Sequence, residues 1–551
     1  MRTFISSLLV LMGVPLLGAA ASGIPPRAAL RPPGPSSAGL RGPLAALAIP
    51  VAAPTTPGSW TSGAFSDGLS LLLTDGSIFQ QTSFSSAQWQ RILPDATGHY
   101  DWTHPVPAAT MQDTRGFFAS VVMRDGRVFV AGGEYGTGSH TAEIYDPITN
   151  TWTPVPNPMG AGFYDCTAVN LPDGRVLVLP NGPVHGYILD PGPGTWTPTS
   201  DNAFPFNETC VAQLPGGAFF MISATTYPAT ATYLSATNQW VVTALAPTGA
   251  DAVDSGGEGT KVLLYDGRVM TVGTTGKVGF YSAGSTPTDP GSWTPGPFLP
   301  DQSKRQDAFM VVLPNGHVFL SADQGGHTGP TRFYDFDPSS QTFVDVSPVA
   351  GGLPGYSDPY MPLLLPTGEV FVAGIGIYTP SGGGPQDSWR PVASSIADLG
   401  GGTYRLTGQQ LSGLTEGAYY GDDAQMSTNY PLLRLTAPGG AIVFARSFNV
   451  STMALSTATT PETTEFTLPP LADGPYSLEV VTNAVPSLAL SVQIQGGKIV
   501  ASSPPSPSPS PGPSSGGGGT GGGGGGGGCG ATGLEVLFVL GLLGAARQRR
   551  S

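Results

Sequence analysis

The sequence predicts an all-β protein, a seven-bladed β-propeller followed by a smaller β-sandwich. Three observations carry this reading. Tight-turn pairs recur at a near-constant interval, an aromatic residue closes each unit, and nowhere between residues 57 and 497 does the pattern require a helix.

The 551 residues are 40% hydrophobic and only 11% charged, enough to bury a large core in more than one domain. Gly (79) and Pro (56) are abundant; much of the excess sits at the two ends, and the rest punctuates short β-rich segments as turn residues. The net charge of −14 leaves no basic stripe to neutralise phosphates, which argues against nucleic acid as a partner. Three cysteines are too few for a disulfide framework.

Residues 1–21 place Arg2 before the apolar run FISSLLVLMGVPLLG and the small residues AAAS, as an export signal does. Residues 22–56 are rich in Pro, Ala and Gly without any period and read as a tether.

From residue 57 to 389 the turn pairs are Asp75-Gly76, Asp125-Gly126, Asp173-Gly174, Gly216-Gly217, Asp266-Gly267, Asn315-Gly316 and Thr367-Gly368. Their steps are 50, 48, 43, 50, 49 and 52, the spacing of four-stranded kelch blades. Asp-Gly and Asn-Gly suit two-residue hairpin turns in which both central positions take positive φ. Each unit ends near an aromatic residue: Trp102, Trp152, Trp196, Trp240, Trp293 or Phe343. PGSW at 57–60 repeats PGSW at 290–293, so the segment around Trp60 is expected to supply the outer strand of the seventh blade and close the ring. Trp389 then opens the next domain.

Residues 390–497 lose this period. Alternating segments such as GTYRLTG, LLRLTA, AIVFAR, TEFTLP and YSLEVVTN, separated by turn residues, read as an immunoglobulin-like β-sandwich. Residues 498–528 form a Pro/Ser/Gly-rich linker. Residues 529–551 are Cys529, a short apolar run and an arginine cluster. That order resembles the myxobacterial C-terminal sorting signal (MYXO-CTERM). The resemblance implies envelope attachment through Cys529, with the protein at the cell surface or outer membrane or released from it.

A seven-bladed kelch propeller followed by such a sandwich resembles galactose oxidase and its copper-radical relatives. YGDDAQMSTNYPLLRLT and ARSFNVSTMAL look like that family's C-terminal domain. The family would bring a copper-binding histidine to Phe448 or Asn449, and a Tyr-His pair to the position held by Asp358 and Pro359. No histidine follows His327, and the other five read as surface or turn residues. Tyr164 could stand for the family's cross-linked tyrosine, but Cys166 two residues along the same strand cannot reach its ring. Copper is therefore not expected, and no cofactor is predicted. Cys166 and Cys210 read as small core residues, with a disulfide between them as the alternative.

Residues just before each innermost strand line one mouth of a propeller. There the chain offers Asp113 and Arg115, Tyr164 and Asp165, Glu208, Asp254 and Glu258, Arg305 and Asp307, and Asp358. Converging carboxylates, Arg and Tyr suit sugar hydroxyls, so the expectation is a monomeric binding or structural module for carbohydrate or another surface protein. A divergent carbohydrate oxidase, or a hydrolase built from Asp254, Glu258 and Asp358, is the alternative. No G-x-S-x-G elbow, H-E-x-x-H zinc site or phosphate loop points to other chemistry.

Overall fold

A computed structural model describes residues 58–503 except 64, 159–161, 165, 255–258, 301–302, 305–308, 326 and 417–427. The expected leader, tether and sorting tail lie outside the described residues. Seven separate four-stranded antiparallel sheets form the propeller. Blades 1 to 6 cover 70–107, 119–155, 167–198, 209–242, 260–298 and 310–345. Blade 7 takes Pro362–Leu364, Val370–Val372 and Gly376–Thr379 from one end of the ring and Ser59–Ser62 from the other. Trp60 pairs with Tyr378 in that outer strand, so the ring closes as the repeated PGSW predicts.

The first strands of adjacent blades touch one another and line the central channel. Each blade is a sheet of its own, so the seams depend on side chains. The outer-strand tryptophans do this in a repeated way. Each packs its ring into a seam and donates Nε1–H to the segment leaving the preceding blade: Trp152 to Ala109 O, Trp196 to Pro156 O, Trp240 to Thr199 Oγ1, Trp293 to Ala244 O and Trp60 to Val346 O. Trp60 lies 5.4–6.1 Å from the rings of Phe319, Phe333 and Tyr378. Two units differ. Phe343 packs tilted against Phe336 at 4.4 Å without a polar tie, and Trp102 precedes its blade's short last strand, stacking on Phe371 of blade 7 at 4.3 Å.

The repeated turns are three-residue loops, not the two-residue hairpins that Asp-Gly suggests. In blade 1, Leu73 N bonds Ser77 O and Gly76 N bonds Leu73 O; the same pair of bonds recurs in every blade. Only the glycine of an Asp-Gly pair takes positive φ (Gly76 +78°, Gly126 +86°), which is a type I turn followed by a left-handed residue. The aspartate is chosen for a different reason: its carboxylate accepts the N–H two residues on, and in blades 2, 3 and 5 also pairs with the arginine there.

The C-terminal domain packs two β-layers. Val392–Gly400, Thr403–Gln409 and Glu462–Thr467 form one; Leu432–Thr436, Gly474–Thr482, Leu490–Gln495 and Lys498–Ser503 form the other. Ile442–Phe448 pairs with both. Tyr404, Leu406, Leu433, Phe466, Leu478 and Val492 fill the space between. The last strand runs past residue 497 into the expected linker, because Lys498–Ser503 completes a ladder with Leu490–Gln495.

This domain caps the face of the ring that carries the Asp-Gly turns. Ile442 N bonds Ala96 O, Ser447 N bonds Thr74 O, Arg446 Nη2 bonds Asp125 O, Met453 N bonds Pro172 O and Gly216 N bonds Leu455 O. Trp389 stacks flat on Tyr265 at 3.8 Å, and the Tyr430 hydroxyl reaches Leu72 O. Glu416 enters the channel itself. Its two carboxylate oxygens accept Gln213 N (2.6 Å) and Leu263 N (3.2 Å), the ends of the innermost strands of blades 4 and 5. A cavity of about 30 Å³, room for about two water molecules, remains beside it between Asn170, Gln213, Tyr430 and Met453.

Truncating Trp60 to alanine should lower unfolding free energy by about 3 kcal/mol in a denaturant titration. A loss below about 1 kcal/mol would show that closure does not rest on this side chain. Burial raises the Glu416 carboxyl to about 8, against the pull of its two backbone N–H bonds. The folded state thus favours the protonated acid. This contribution is fully present below the unfolded pKa near 4.5 and is lost as pH rises through about 8. Wild type should therefore lose roughly 1–3 kcal/mol between pH 5 and pH 8 that Glu416→Gln does not lose. An equal pH slope in both proteins would contradict this.

Candidate functional site

With the turn face capped, the opposite face keeps its loops. Its mouth is framed by the segments that precede the innermost strands and by the loops after the second strands. The sequence-predicted residues fall into three groups there. Asp165, Glu258, Arg305 and Asp307, like Cys529, lie outside the described residues.

The second group is occupied within its own loops. Arg115 is 0% exposed. Its guanidinium donates to Gly132 O (2.6 Å), Gly138 O (2.7 Å), Thr141 O (2.9 Å), Thr141 Oγ1 (2.7 Å) and Glu143 Oε1 (3.0 Å). Burial lowers its pKa, and Glu143 and Asp113 oppose that shift. Asp113 accepts the hydroxyls of Thr137 and Thr141 at 2.9 and 2.7 Å. Asp254 is buried and accepts Gly259 N and Thr274 Oγ1. These three side chains shape loops rather than present themselves at the mouth. Glu208 holds a left-handed φ of +40° in a partly buried position.

Tyr164 and Asp358 form the third group and belong to the mouth. Tyr164 is 48% exposed, whereas Cys166 turns into the blade 2–3 core with Sγ 3.6 Å from Ala131 O. Cys166 and Cys210 are both buried, and no disulfide joins them. Asp358 is largely buried, and its charge is the main reason the Tyr356 phenol titrates high.

What the sequence reading did not single out is an aromatic cluster at blades 1 and 2. Phe84 (37% exposed) follows the second strand of blade 1, and Tyr135 (50%) follows that of blade 2. Phe117, just before the innermost strand of blade 2, sits between them. Phe84 and Phe117 are 4.8 Å apart, Phe84 and Tyr135 6.0 Å, and Phe117 and Tyr135 5.9 Å. Phe117 has φ +49°, a costly backbone for a bulky residue, held because Arg115-Gly116 pairs with Tyr135-Gly136 and Glu134 N bonds Phe117 O. The buried Arg115 fixes the same loops, so the platform is rigid. Tyr356 (42%) of blade 7 adds a ring on the far side, with the His327 ring 5.7 Å away. Partial desolvation, then Glu134 and the phenols of Tyr356 and Tyr164, push Tyr135 up to about 12. The sequence signal was present in RGFF and GGEYG, but no period marks such positions.

Copper does not fit the donors described. Among the described residues no three His, Cys, Asp or Glu side chains come together as a ligand set. His99, His104 and His185 pair with Glu369, Asp101 and Asp201. His317, expected at a turn surface, is instead buried, with Nδ1 2.6 Å from Asp335. Phe448 lies under the Arg446 guanidinium and Asn449 bonds Glu465, both on the cap domain.

Comparison with known proteins agrees with the repeat. The Kelch motif matches residues 115–159, which span all four strands of blade 2. Galactose oxidase of Gibberella zeae is 43% identical over 54 residues, 9% of this chain, and the chain spans only 8% of that protein's length. Among solved structures, a fungal alcohol oxidase of the AA5 family in complex with copper aligns over 80% of this chain and all of its own, at 16% identity and a TM-score of 0.49. A streptogramin B lyase aligns over 59% of this chain and 95% of its own, at 13% identity and a TM-score of 0.39. The chain thus carries a kelch motif, is similar in sequence to galactose oxidase over a short stretch, and builds a seven-bladed propeller capped by a β-sandwich.

Proposed function

We propose that the protein is a binding module whose uncapped propeller mouth takes a saccharide, acting at the cell envelope to which its expected export signal and sorting tail would direct it. The supporting observation is the rim of exposed rings, Phe84, Tyr135, Tyr164 and Tyr356, with the blade 2 loop of Tyr135 braced by Arg115 and Asp113. Flat aromatic faces stack on the C–H faces of sugar rings, while phenols and neighbouring carboxylates take hydroxyls. A pre-formed site keeps the ordering cost of binding small.

The galactose oxidase similarity in sequence favours a second reading, a carbohydrate oxidase. The described side chains do not supply its copper ligands, so no step is assigned to copper. Both readings place a sugar at the same mouth.

On a glycan array the exported protein should retain at least one saccharide in the presence of a chelator. Phe84→Ala and Tyr135→Ala should each weaken that binding about tenfold, the size of one lost stacking contact, with thermal unfolding unchanged. Chelator-sensitive binding, or full affinity in both variants, would contradict the proposal.

A further inference from the structure

We propose that blade 6 carries a proton-operated latch for the ring: while His317 is protonated, its ion pair with Asp335 holds blade 7 and the closing strand Ser59–Ser62 in place, and when the proton leaves, the seam loosens. The pair is short and buried, with His317 Nδ1 2.6 Å from Asp335 Oδ1 and the two side chains 3% and 2% exposed. Its position follows from the strand register. Asp335 lies opposite Phe319, so both side chains leave the same face of the sheet. On that face Phe319 and Phe333 meet the Trp60 ring at 6.1 and 5.6 Å, and Phe319 stacks on Tyr378 at 5.1 Å. The pair therefore faces the seam that receives the closing strand, where the Tyr378 ring leaves no room for a side chain on Gly58.

Other blades show how blade 6 departs from the repeat. Arg127, Arg175 and Arg268 occupy the position of His317 and pair with the aspartate of their own turn. Ile144, Ile188 and Phe280 occupy the position of Asp335, opposite Phe129, Leu177 and Met270. In blade 6 the turn aspartate is Asn315, the arginine is a histidine and the apolar residue is an aspartate. A fixed ion pair at the turn is thus replaced by a titratable one directed into the seam.

The other groups around the pair leave the switching to His317. Asp337, on the same face as Asp335, accepts the N–H and hydroxyl of Ser339 and the hydroxyl of Ser340. Tyr378 of blade 7 is pushed high by burial and then by Asp335, so it stays neutral. Glu369 of blade 7 pairs instead with His99 of blade 1, and the cap reaches Gly316 through Trp389, which brings no charge. Strand Ser59–Ser62 holds no titratable residue. Burial alone would lower the His317 pKa; the bond to Asp335, its charge and that of Asp337 outweigh burial and raise the pKa above 6.5. The charged pair therefore contributes fully below pH 6.5, and its contribution is lost as pH rises through the raised folded-state pKa. What remains is a buried carboxylate whose Oδ2 has no partner among the described residues.

The test is amide hydrogen exchange on the whole protein at about pH 6 and about pH 9, with rates corrected for the intrinsic pH dependence of exchange. Residues 59–62 and 376–379 should lose about tenfold in protection at the higher pH, while the corresponding strands of blade 3, Tyr187–Asp190 and Thr195–Pro198, lose no more than about threefold. In His317→Gln, which keeps a hydrogen-bond donor but cannot titrate, and in Asp335→Asn, the extra loss in blade 7 should vanish. His99→Gln, which removes the exposed histidine paired with Glu369 on the other side of blade 7, should keep it. Equal protection at both pH values in wild type, an equal loss in blades 3 and 7, a loss that survives in both seam variants, or one that vanishes in His99→Gln would overturn the inference. If a seam variant does not fold, the wild-type comparison of blades 7 and 3 decides alone.

Discussion

The fold depends on one repeated contact, a tryptophan in the outer strand of a blade that fills the seam and hydrogen-bonds the chain as it leaves the blade before. Seven sheets share no ladder, and only scattered backbone bonds such as Ala244 N to Pro290 O and Gly374 N to Ser66 O link neighbours, so this contact does much of what strand pairing does elsewhere. It also explains how the ring closes. Trp60 makes the same bond, to Val346 O, that Trp152, Trp196 and Trp293 make to Ala109, Pro156 and Ala244. The closing strand is one more copy of the seam device, delivered from the other end of the chain.

The two faces of the ring then take different roles. Asp-Gly turns are short, rigid and alike, and they offer backbone N–H and C=O groups at regular positions; the C-terminal domain caps them from Thr74 in blade 1 to Leu263 in blade 5, with Trp389 stacked on Tyr265. Glu416 reaches furthest and joins two innermost strands that share no ladder. Its buried carboxyl is an unusual choice, because burial favours the neutral acid while the two N–H groups it faces favour the charged one. The loops of the opposite face are irregular, and that is where the rings collect.

The repeat was legible in the sequence because turn chemistry is local: a glycine with positive φ and an aspartate capping the N–H two residues on recur wherever the turn does. Trp60 was legible for the same reason, as a second PGSW. The loop type was not, because Asp-Gly serves both the two-residue hairpin and the type I turn with a left-handed glycine, and only the paired residues Leu73 and Ser77 decide. The candidate mouth residues were weighed by type. A short Asp side chain such as Asp113 or Asp254 finds hydroxyls and N–H groups inside its own loop first. The rings of Phe84, Phe117 and Tyr135 meet only because Phe117 adopts a left-handed backbone and two loops from different blades converge, neither of which leaves a pattern in the chain. His317 was misjudged for a related reason: its partner Asp335 lies on the neighbouring strand of the same sheet, 18 residues along the chain.

The central claim is that ligands enter by the uncapped mouth and not through the cap domain. Amide hydrogen exchange, with and without a bound saccharide, tests it most directly. The account predicts slowed exchange around residues 84–86, 115–118, 133–137 and 355–358 with little change beyond residue 390. Protection confined to residues 390–503, with the mouth loops unchanged, would contradict it.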